Sequence, residues 1–469
     1  MELPTSLKSI RAGITNGNYT MEELVSEYLN NIDRHSDLNA FIEVYEKEAL
    51  IRAREVDRRW RSDPGRLGVL AGAVISLKDV LCFKGHKLTA GSGILKGFTS
   101  MYTATAVSRL LAEDAIIIGR TNCDEFAMGS ETRFSYYGPA KNALDPDRVP
   151  GGSSGGAAIS VQINGCLASI GSDTGGSVRQ PAAFCGLYGF KPTYGRISRF
   201  GLIAYASSFD QIGIIGRDVS DIGVIYTVMA GPDSRDMTLS EDRVSVDRSA
   251  GSYRIGYIRS ALDHPSIQRE IKAGCEEYLT KLSEEGLSVE PLDFPLIDYV
   301  IPAYYILTSA EASSNLARYD GVRYGFRSEN ISGLNDMYTR TRTEGFGSEV
   351  KRRILLGTFV LSVGYYDAFF SQAQKVRRLI KEQFEEWFKK VDLIVLPTTP
   401  STAWKRGELK DPVEVYLEDI YSVLANLAGL PALSAPIGYD EQGLPFGIQF
   451  LAARNMEKDI FSFRERMKL

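Results

Sequence analysis

The chain is 469 residues long, 44% hydrophobic and 24% charged, with a formal net charge of −5. That apolar share excludes a wholly disordered chain, and the length allows two to four domains or one large α/β body with insertions. Lys and Arg number 54 against 59 Asp and Glu, so no global basic field invites nucleic acid; any RNA-linked role needs a local patch or a further protein chain.

Thr20 and Glu23 have the spacing of a capping box, and behind them Met21, Val25, Tyr28, Leu29 and Ile32 fall on one helical face. A second helix is predicted over 46–60. From about residue 66 the texture changes to a short apolar segment at 69–77, a helix over 105–111 and a buried strand over 115–119. Strand, helix and strand with short links imply α/β layering. Residues 129–216 are thick with Gly and Ser yet carry core-forming runs at 157–161 and 167–170, which a flexible linker does not. Residues 231–253 are polar and turn-rich and read as a boundary or surface excursion. A mostly helical portion follows, including 271–285 and 364–390. A buried strand over 391–396 ends at Pro397, and a last strand is predicted over 447–451.

The architecture expected from this order is α/β, a large mixed β-sheet flanked by helices on both faces. An N-terminal helical segment (1–65) would pack on a main domain (66–469) that carries a helical insertion at about 231–390. Five cysteines with no CxxC pair and three scattered histidines fit buried thiols in a reducing compartment rather than a disulfide framework or a metal cluster. No apolar run approaches the ~20 residues a bilayer span needs. The first residues lack the basic-then-apolar order of a secretory signal, so a cytoplasmic location is expected.

The chemistry concentrates in Gly151-Gly152-Ser153-Ser154-Gly155-Gly156 and in Gly171-Ser172-Asp173-Thr174-Gly175-Gly176-Ser177-Val178-Arg179, joined by a helix predicted over 157–164. Glycine removes the Cβ that blocks close approach, so Gly175-Gly176 before a serine is suited to present successive amides to an anion, the oxyanion of an acyl transfer included. Taken alone such clusters also read as plain loops. No Gly-Lys-Ser/Thr follows either one, which argues against a phosphate-binding Walker loop. Gly151-x-Ser153-x-Gly155 has the form of a nucleophile elbow, but the single downstream histidine, His264, sits in a turn-like Asp-His-Pro. A serine without histidine can be activated by a neutral lysine. Lys78 ends the apolar run 70–77 and is followed by Asp79. Bringing its amine from ~10.4 to about 7 needs roughly 4–5 kcal/mol of destabilisation of the charged form. In isolation a Lys-Asp pair at that place reads as a solvated strand end.

Together, Leu-Lys-Asp around Lys78, the GGSSGG block and DTGGSVR (173–179) resemble the amidase signature family over about residues 20–452. The resemblance implies that family's fold and its Ser–cisSer–Lys triad. Ser177 would be the acyl-forming nucleophile, Ser153 the bridging serine held by a cis peptide, Lys78 the base and Ser154 an auxiliary hydroxyl. The oxyanion amides would lie around Thr174, Gly175, Gly176 and Ser177. Two departures flank the lysine: LAGAVISL at 70–77 where the family usually has Gly-Ile-Pro, and Val80 in place of a common Asn.

Within the family the blocks DEFAMG (124–129), FKPTYGR (190–196), EASSNLARYDGVRY (311–324), EGFGSEVKRRILLGT (344–358) and NLAGLP (426–431) are most similar to the A subunits of glutamyl-tRNA(Gln)/aspartyl-tRNA(Asn) amidotransferases. That resemblance implies glutamine hydrolysis, with ammonia passed on to the B and C subunits, its partners in a heterotrimer. The chain itself would carry no cofactor; ATP, Mg and charged tRNA would bind through the partner. A glutamine-binding site must pair a carboxylate with a guanidinium and an ammonium with a carboxylate. By the resemblance these roles fall on Arg353 and Asp419, with Tyr304 touching the side chain and Arg352 as the alternative to Arg353. Two rival readings are a free-standing amidase, which has no use for the Arg353/Asp419 pair, and a non-catalytic scaffold, which has no use for Lys78, Ser153 and Ser177.

Overall fold

The computed structural model describes residues 3–239 and 253–467. Among the described residues one sheet of eleven strands runs through the molecule. The strands are β1 (Phe41–Val44), β2 (Val74–Lys78), β3 (Ile116–Thr121), β4 (Ala168–Asp173), β5 (Tyr188–Lys191), β6 (Gln211–Gly216), β7 (Arg254–Ile258), β8 (Ser288–Leu292), β9 (Leu393–Pro397), β10 (Ala432–Tyr439) and β11 (Pro445–Ala452). Their spatial order is β1-β3-β2-β4-β6-β5-β10-β11-β9-β7-β8.

The sheet is mixed, as expected. β2 runs parallel to both β3 and β4, and β7 runs parallel to β8 and β9, while the middle from β4 to β9 is antiparallel. Strands β2, β3, β4, β6 and β9 are buried along their whole length. A strand covered on both faces reads as a continuous apolar run rather than an alternating one. Because β2 and β4 are parallel neighbours, with Leu77 opposite Ile170, their carboxyl ends emerge side by side. Lys78 ends one strand and Asp173 ends the other. In layered α/β sheets, ligand sites form beyond the carboxyl ends of parallel strands.

The predicted helices form close to their expected bounds, at Met21–Arg34, Glu46–Ser62, Thr105–Ala112 and Arg269–Glu284. The capping box is present: Thr20 Oγ1 accepts from Glu23 N–H (3.2 Å) and the Glu23 carboxylate accepts from Thr20 N–H (2.8 Å). Asp57, on the next helix, accepts from the two amides between them, Met21 (2.8 Å) and Glu22 (3.1 Å), so the N–H groups of Thr20, Met21, Glu22 and Glu23 at that helix start are all satisfied.

Six strands appear where the sequence pattern indicated helix or nothing, among them β5, β6 and β10 in the middle of the sheet. β1 lies inside residues 1–65, and β7 and β8 lie inside 231–390. β1 and β8 are the two edges of the sheet, and β8 contains Pro291, which demotes a strand by pattern but is tolerated at an edge. The long helix expected over 364–390 is Ser371–Trp387, entered through a π-helical turn at Tyr366–Phe370. Of the polar stretch 231–253, residues 240–252 lie outside the described residues. Residues 231–239 are tied to the body of the protein, where Asp233 accepts from Ser198 Oγ (2.7 Å) and Asp236 from Arg199 N–H (2.8 Å). Among the described residues no helix is long and apolar enough to cross a membrane.

Asp57 gives a test of how the helix Met21–Arg34 is held. Asp57→Ala strands two helix-start amides, one of them buried, and is expected to lower stability by about 1–3 kcal/mol. Urea denaturation followed by circular dichroism measures it; an unchanged midpoint contradicts the capping role.

Candidate active site

Lys78 is fully buried, and among the described residues no carboxylate forms an ion pair with it. Its Nζ lies 2.7 Å from Ser153 Oγ, 2.9 Å from Ser154 Oγ and 2.9 Å from Ser172 Oγ. Burial pushes the ammonium down to about 8, and the attraction of Cys123, Asp124, Asp173 and Asp210 is too weak to reverse it. A neutral amine has two hydrogens and one lone pair, so against three hydroxyls it donates twice and accepts once. Ser154 spends its own proton on the Ser172 carbonyl (3.2 Å) and therefore accepts from Lys78. The nearest hydroxyl left to face the lone pair is Ser153.

The segment carrying Ser153 and Ser154 is clamped from several sides. The peptide bond between Gly152 and Ser153 is cis. Gly152 N–H donates to Gln180 Oε1 (3.0 Å), and Gly155 N–H donates to Thr132 Oγ1 (2.9 Å). Ser154 starts the helix Gly155–Gln162 that joins the two glycine clusters. Its N–H donates to the Ser177 carbonyl (3.1 Å), which ties the second cluster to the first. Ser177 is 9% exposed, against 0% for Lys78 and Ser153. Among the described residues its hydroxyl engages no hydrogen-bond partner.

Between β4 and Ser177 the chain is fixed by a buried ion pair. Arg179 donates to both oxygens of Asp173 (Nε 3.0 Å, Nη2 2.9 Å) and reaches on to Asn426 (2.7 Å) and Gln449 (2.8 Å). Burial works to raise the Asp173 carboxyl, and Arg179, with Lys191 and Asn426 behind it, overrides this and holds it at about 2. The same carboxylate accepts from Gly176 N–H (2.9 Å) and Val178 N–H (3.3 Å). Of the four amides expected around an oxyanion, that of Gly176 thus donates to Asp173. The amides of Thr174, Gly175 and Ser177 have no acceptor among the described residues. Glycine is required at the turn because a Cβ at Gly175 would collide with the Tyr304 hydroxyl, and Gly176 has φ +126° with Ser422 packed against it. Ser422 Oγ donates to the Gly175 carbonyl (2.6 Å). Thr174 Oγ1 donates to Asp210 (2.7 Å).

Tyr304, Arg353 and Asp419, widely separated in sequence, gather around Tyr305, and Tyr304 touches this turn. Tyr304 lies against Gly175 from the helix Ile297–Asn315. Arg353, on the helix Ser348–Val360, is buried; its Nε donates to Glu349 (2.8 Å) and its Nη1 to the Tyr205 hydroxyl (2.6 Å). Its guanidinium lies over the Tyr305 ring at 4.7 Å and the Tyr416 ring at 5.1 Å. Arg352 is half-exposed, pairs with the same Glu349 and lines the same cleft nearer the solvent. Asp419 is buried and accepts from Tyr305 OH (2.7 Å) and Ser130 Oγ (3.1 Å). Burial pushes its carboxyl up to about 6 against those hydrogen bonds. A cleft lined by Ser130, Phe134, Glu349, Arg353 and Tyr416 opens to the surface here. No cluster of three or more His, Cys, Asp or Glu among the described residues is placed to hold a metal.

Sequence reading missed Ser172, the Asp173–Arg179 pair, Tyr205, Tyr305 and Ser130. Ser172 and Arg179 stood in the quoted glycine block, but only the parallel register of β2 and β4 brings Ser172 to Lys78. Tyr305 adjoins Tyr304 without any pattern to mark it.

A buried amine shared among hydroxyls, beside a glycine turn with unengaged amides, is the equipment of a serine-type hydrolase of carboxamides. The chain belongs to the amidase family, whose model matches residues 23–461. It is 48% identical over 458 residues to the A subunit of glutamyl-tRNA(Gln) amidotransferase from Chlorobium phaeobacteroides, covering 95% of each chain. The protein of the same name from Fusobacterium nucleatum is 46% identical, over 95% of this chain and 92% of that one. The crystal structure of the Thermotoga maritima glutamyl-tRNA(Gln) amidotransferase A subunit matches with a TM-score of 0.77 at 36% identity, over 94% of this chain and 90% of that one.

The Asp173–Arg179 pair makes a stability prediction. Arg179→Met leaves a buried carboxylate uncompensated and is expected to cost about 3–5 kcal/mol, part of which Asp173→Leu in the same chain restores. Chemical denaturation of the single and double variants checks it; a double variant no more stable than the single one contradicts the account.

Proposed function

We propose that this chain is the glutamine-hydrolysing component of a tRNA-dependent amidotransferase. It supplies ammonia to a partner that converts Glu-tRNA(Gln) to Gln-tRNA(Gln), Asp-tRNA(Asn) to Asn-tRNA(Asn), or both. The observation that carries the substrate is the pair of buried, oppositely charged residues Arg353 and Asp419 gathered around Tyr305. Arg353 is ion-paired with Glu349, but among the described residues the Asp419 carboxylate has only hydroxyl partners. A neutral amide leaves that carboxylate uncompensated, whereas the ammonium of a free amino acid satisfies it and the amino acid's carboxylate takes the rest of the guanidinium. The relatives' shared name, at high coverage of both chains, supports the same reading.

In this reading the α-carboxylate of glutamine meets the end of the Arg353 guanidinium left open beyond Glu349 and Tyr205, and the α-ammonium meets Asp419. Tyr304 packs on the side chain and directs the carboxamide to Ser177. Neutral Lys78 takes a proton from Ser153 as Ser153 takes one from Ser177, and Ser177 Oγ bonds to the carboxamide carbon. The oxyanion rests on the Thr174, Gly175 and Ser177 amides; losing one such donor typically costs ~10²–10³ in rate. The proton returns through Ser153 to the leaving nitrogen, the C–N bond breaks and ammonia departs. Water attacks the acyl-serine by the same relay, and glutamate leaves. The B and C subunits complete a cytoplasmic heterotrimer, and ATP, Mg and the charged tRNA belong to the partner, consistent with this chain's lack of a basic field.

Glutamate release by the assembled complex tests the reading. Ser177→Ala is expected to lose at least ~10³-fold in kcat, and Arg353→Lys to raise KM for glutamine about tenfold through loss of the planar fork. Activity of Ser177→Ala equal to the unaltered protein favours a scaffold; an Arg353→Lys KM unchanged for glutamine favours a free-standing amidase. The base works neutral, so kcat/KM is expected to fall as pH drops through about 8, where Lys78 takes up its proton. A profile flat from pH 6 to 9 contradicts the lysine's role.

A further inference from the structure

Arg353 and Asp419 are buried opposite charges in one small region, and in a low-dielectric site such charges attract strongly. Arg353 is ion-paired with Glu349 through Nε, and left to itself the open end of its guanidinium would close on Asp419 as well and leave neither group to a ligand. Among the described residues no ion pair joins them. Tyr305 stands between: its ring takes the Arg353 guanidinium on its face at 4.7 Å, and its hydroxyl donates to Asp419 Oδ2 at 2.7 Å. The ring is itself held rigid, stacked on Tyr416 at 4.0 Å and 25°, and edge-on to Tyr304 at 5.1 Å. Tyr416 OH in turn donates to Glu349 Oε1 (2.9 Å), the oxygen that accepts from Arg353 Nε.

We propose that Tyr305 is a specificity-determining residue, a spacer that holds the Asp419 carboxylate apart from Arg353 and aims it at the substrate's α-ammonium. This rests on the reading of Asp419 as the ammonium receptor. The hydroxyl occupies one carboxylate oxygen and Ser130 bridges both (3.1 Å each), which fixes the plane of the carboxylate while leaving lone pairs for a cation. Tyr305 acts through Asp419, so it governs which amides are accepted rather than how fast the acyl bond forms.

The test compares glutamine with its des-amino analogue, 5-amino-5-oxopentanoate, as substrates of the assembled complex. The readout is the ratio of the two kcat/KM values. Tyr305→Phe keeps the ring and removes only the hydroxyl, and turnover of the analogue reports that the fold is intact. The ratio is expected to fall about tenfold in Tyr305→Phe, the order of effect of one hydrogen bond to a charged group, and at least as far in Asp419→Asn. A fall in Asp419→Asn with a ratio within about twofold of the unaltered protein in Tyr305→Phe overturns the spacer role alone. An unchanged ratio in Asp419→Asn overturns the reading of Asp419 itself, and the role of Tyr305 with it. If turnover is lost, the same ratio taken from Kd values in the Ser177→Ala background decides the matter.

Discussion

The burial of one amine without a carboxylate partner is the constraint on which the site depends. Lys78 ends a strand covered on both faces, so its side chain has no route to water, and among the described residues its hydrogen-bond partners are three serine hydroxyls. A salt bridge to any nearby acid would hold the ammonium charged. The acids in the neighbourhood are instead occupied: Asp173 by Arg179, Asp79 by Thr89 and the Gly91 amide, and Asp124 by the amides of Thr132, Arg133 and Phe134. Each of those interactions is local scaffolding. Their joint effect is to leave the amine with hydroxyls alone, the condition under which it can serve as a base.

The second constraint is that the turn before Ser177 must hold its shape while its amides remain open. Asp173 does this from one side and Ser422 from the other. Ser422 Oγ also lies 3.2 Å from the Asp419 carbonyl, so the residue proposed to read the substrate's ammonium and the turn proposed to carry the nucleophile meet at one hydroxyl. Positioning of the substrate and positioning of the nucleophile are thus mechanically joined, and an error of ~1 Å in either would be felt in the rate.

Much of this is legible in the sequence, and unevenly so. β2, β3 and β9 show as continuous apolar runs and the helix Met21–Arg34 by its capping box, while β5, β6 and β10 carry no such mark. β1, β7 and β8 escape because two are edges, all are short and one contains a proline. Ser153 and Ser177 are marked by dense local text and Lys78 only through the family resemblance; the parallel register of β2 and β4 brings Lys78 to Ser172, and its burial brings it to Ser153. The oxyanion assignment needs coordinates, because which amides of 174–177 are spent depends on where the Asp173 carboxylate turns. The choice between Arg352 and Arg353 is equally closed to sequence: adjacent residues on a helix differ by a rotation, and only the packing against Tyr205, Tyr305 and Tyr416 places one inside and the other half in water. Tyr305 carries no local signal at all, since its importance lies in what stands on either side of it.

The most direct measurement of the central claim is the ionisation of Lys78 itself. Carbon-13 NMR of the protein labelled at lysine Cε, with Lys78→Arg to assign the resonance, follows that one amine as pH is raised. The account predicts a midpoint near 8. A midpoint at or above the ordinary lysine value of ~10.4 would contradict it, because the amine would then be charged wherever the protein works.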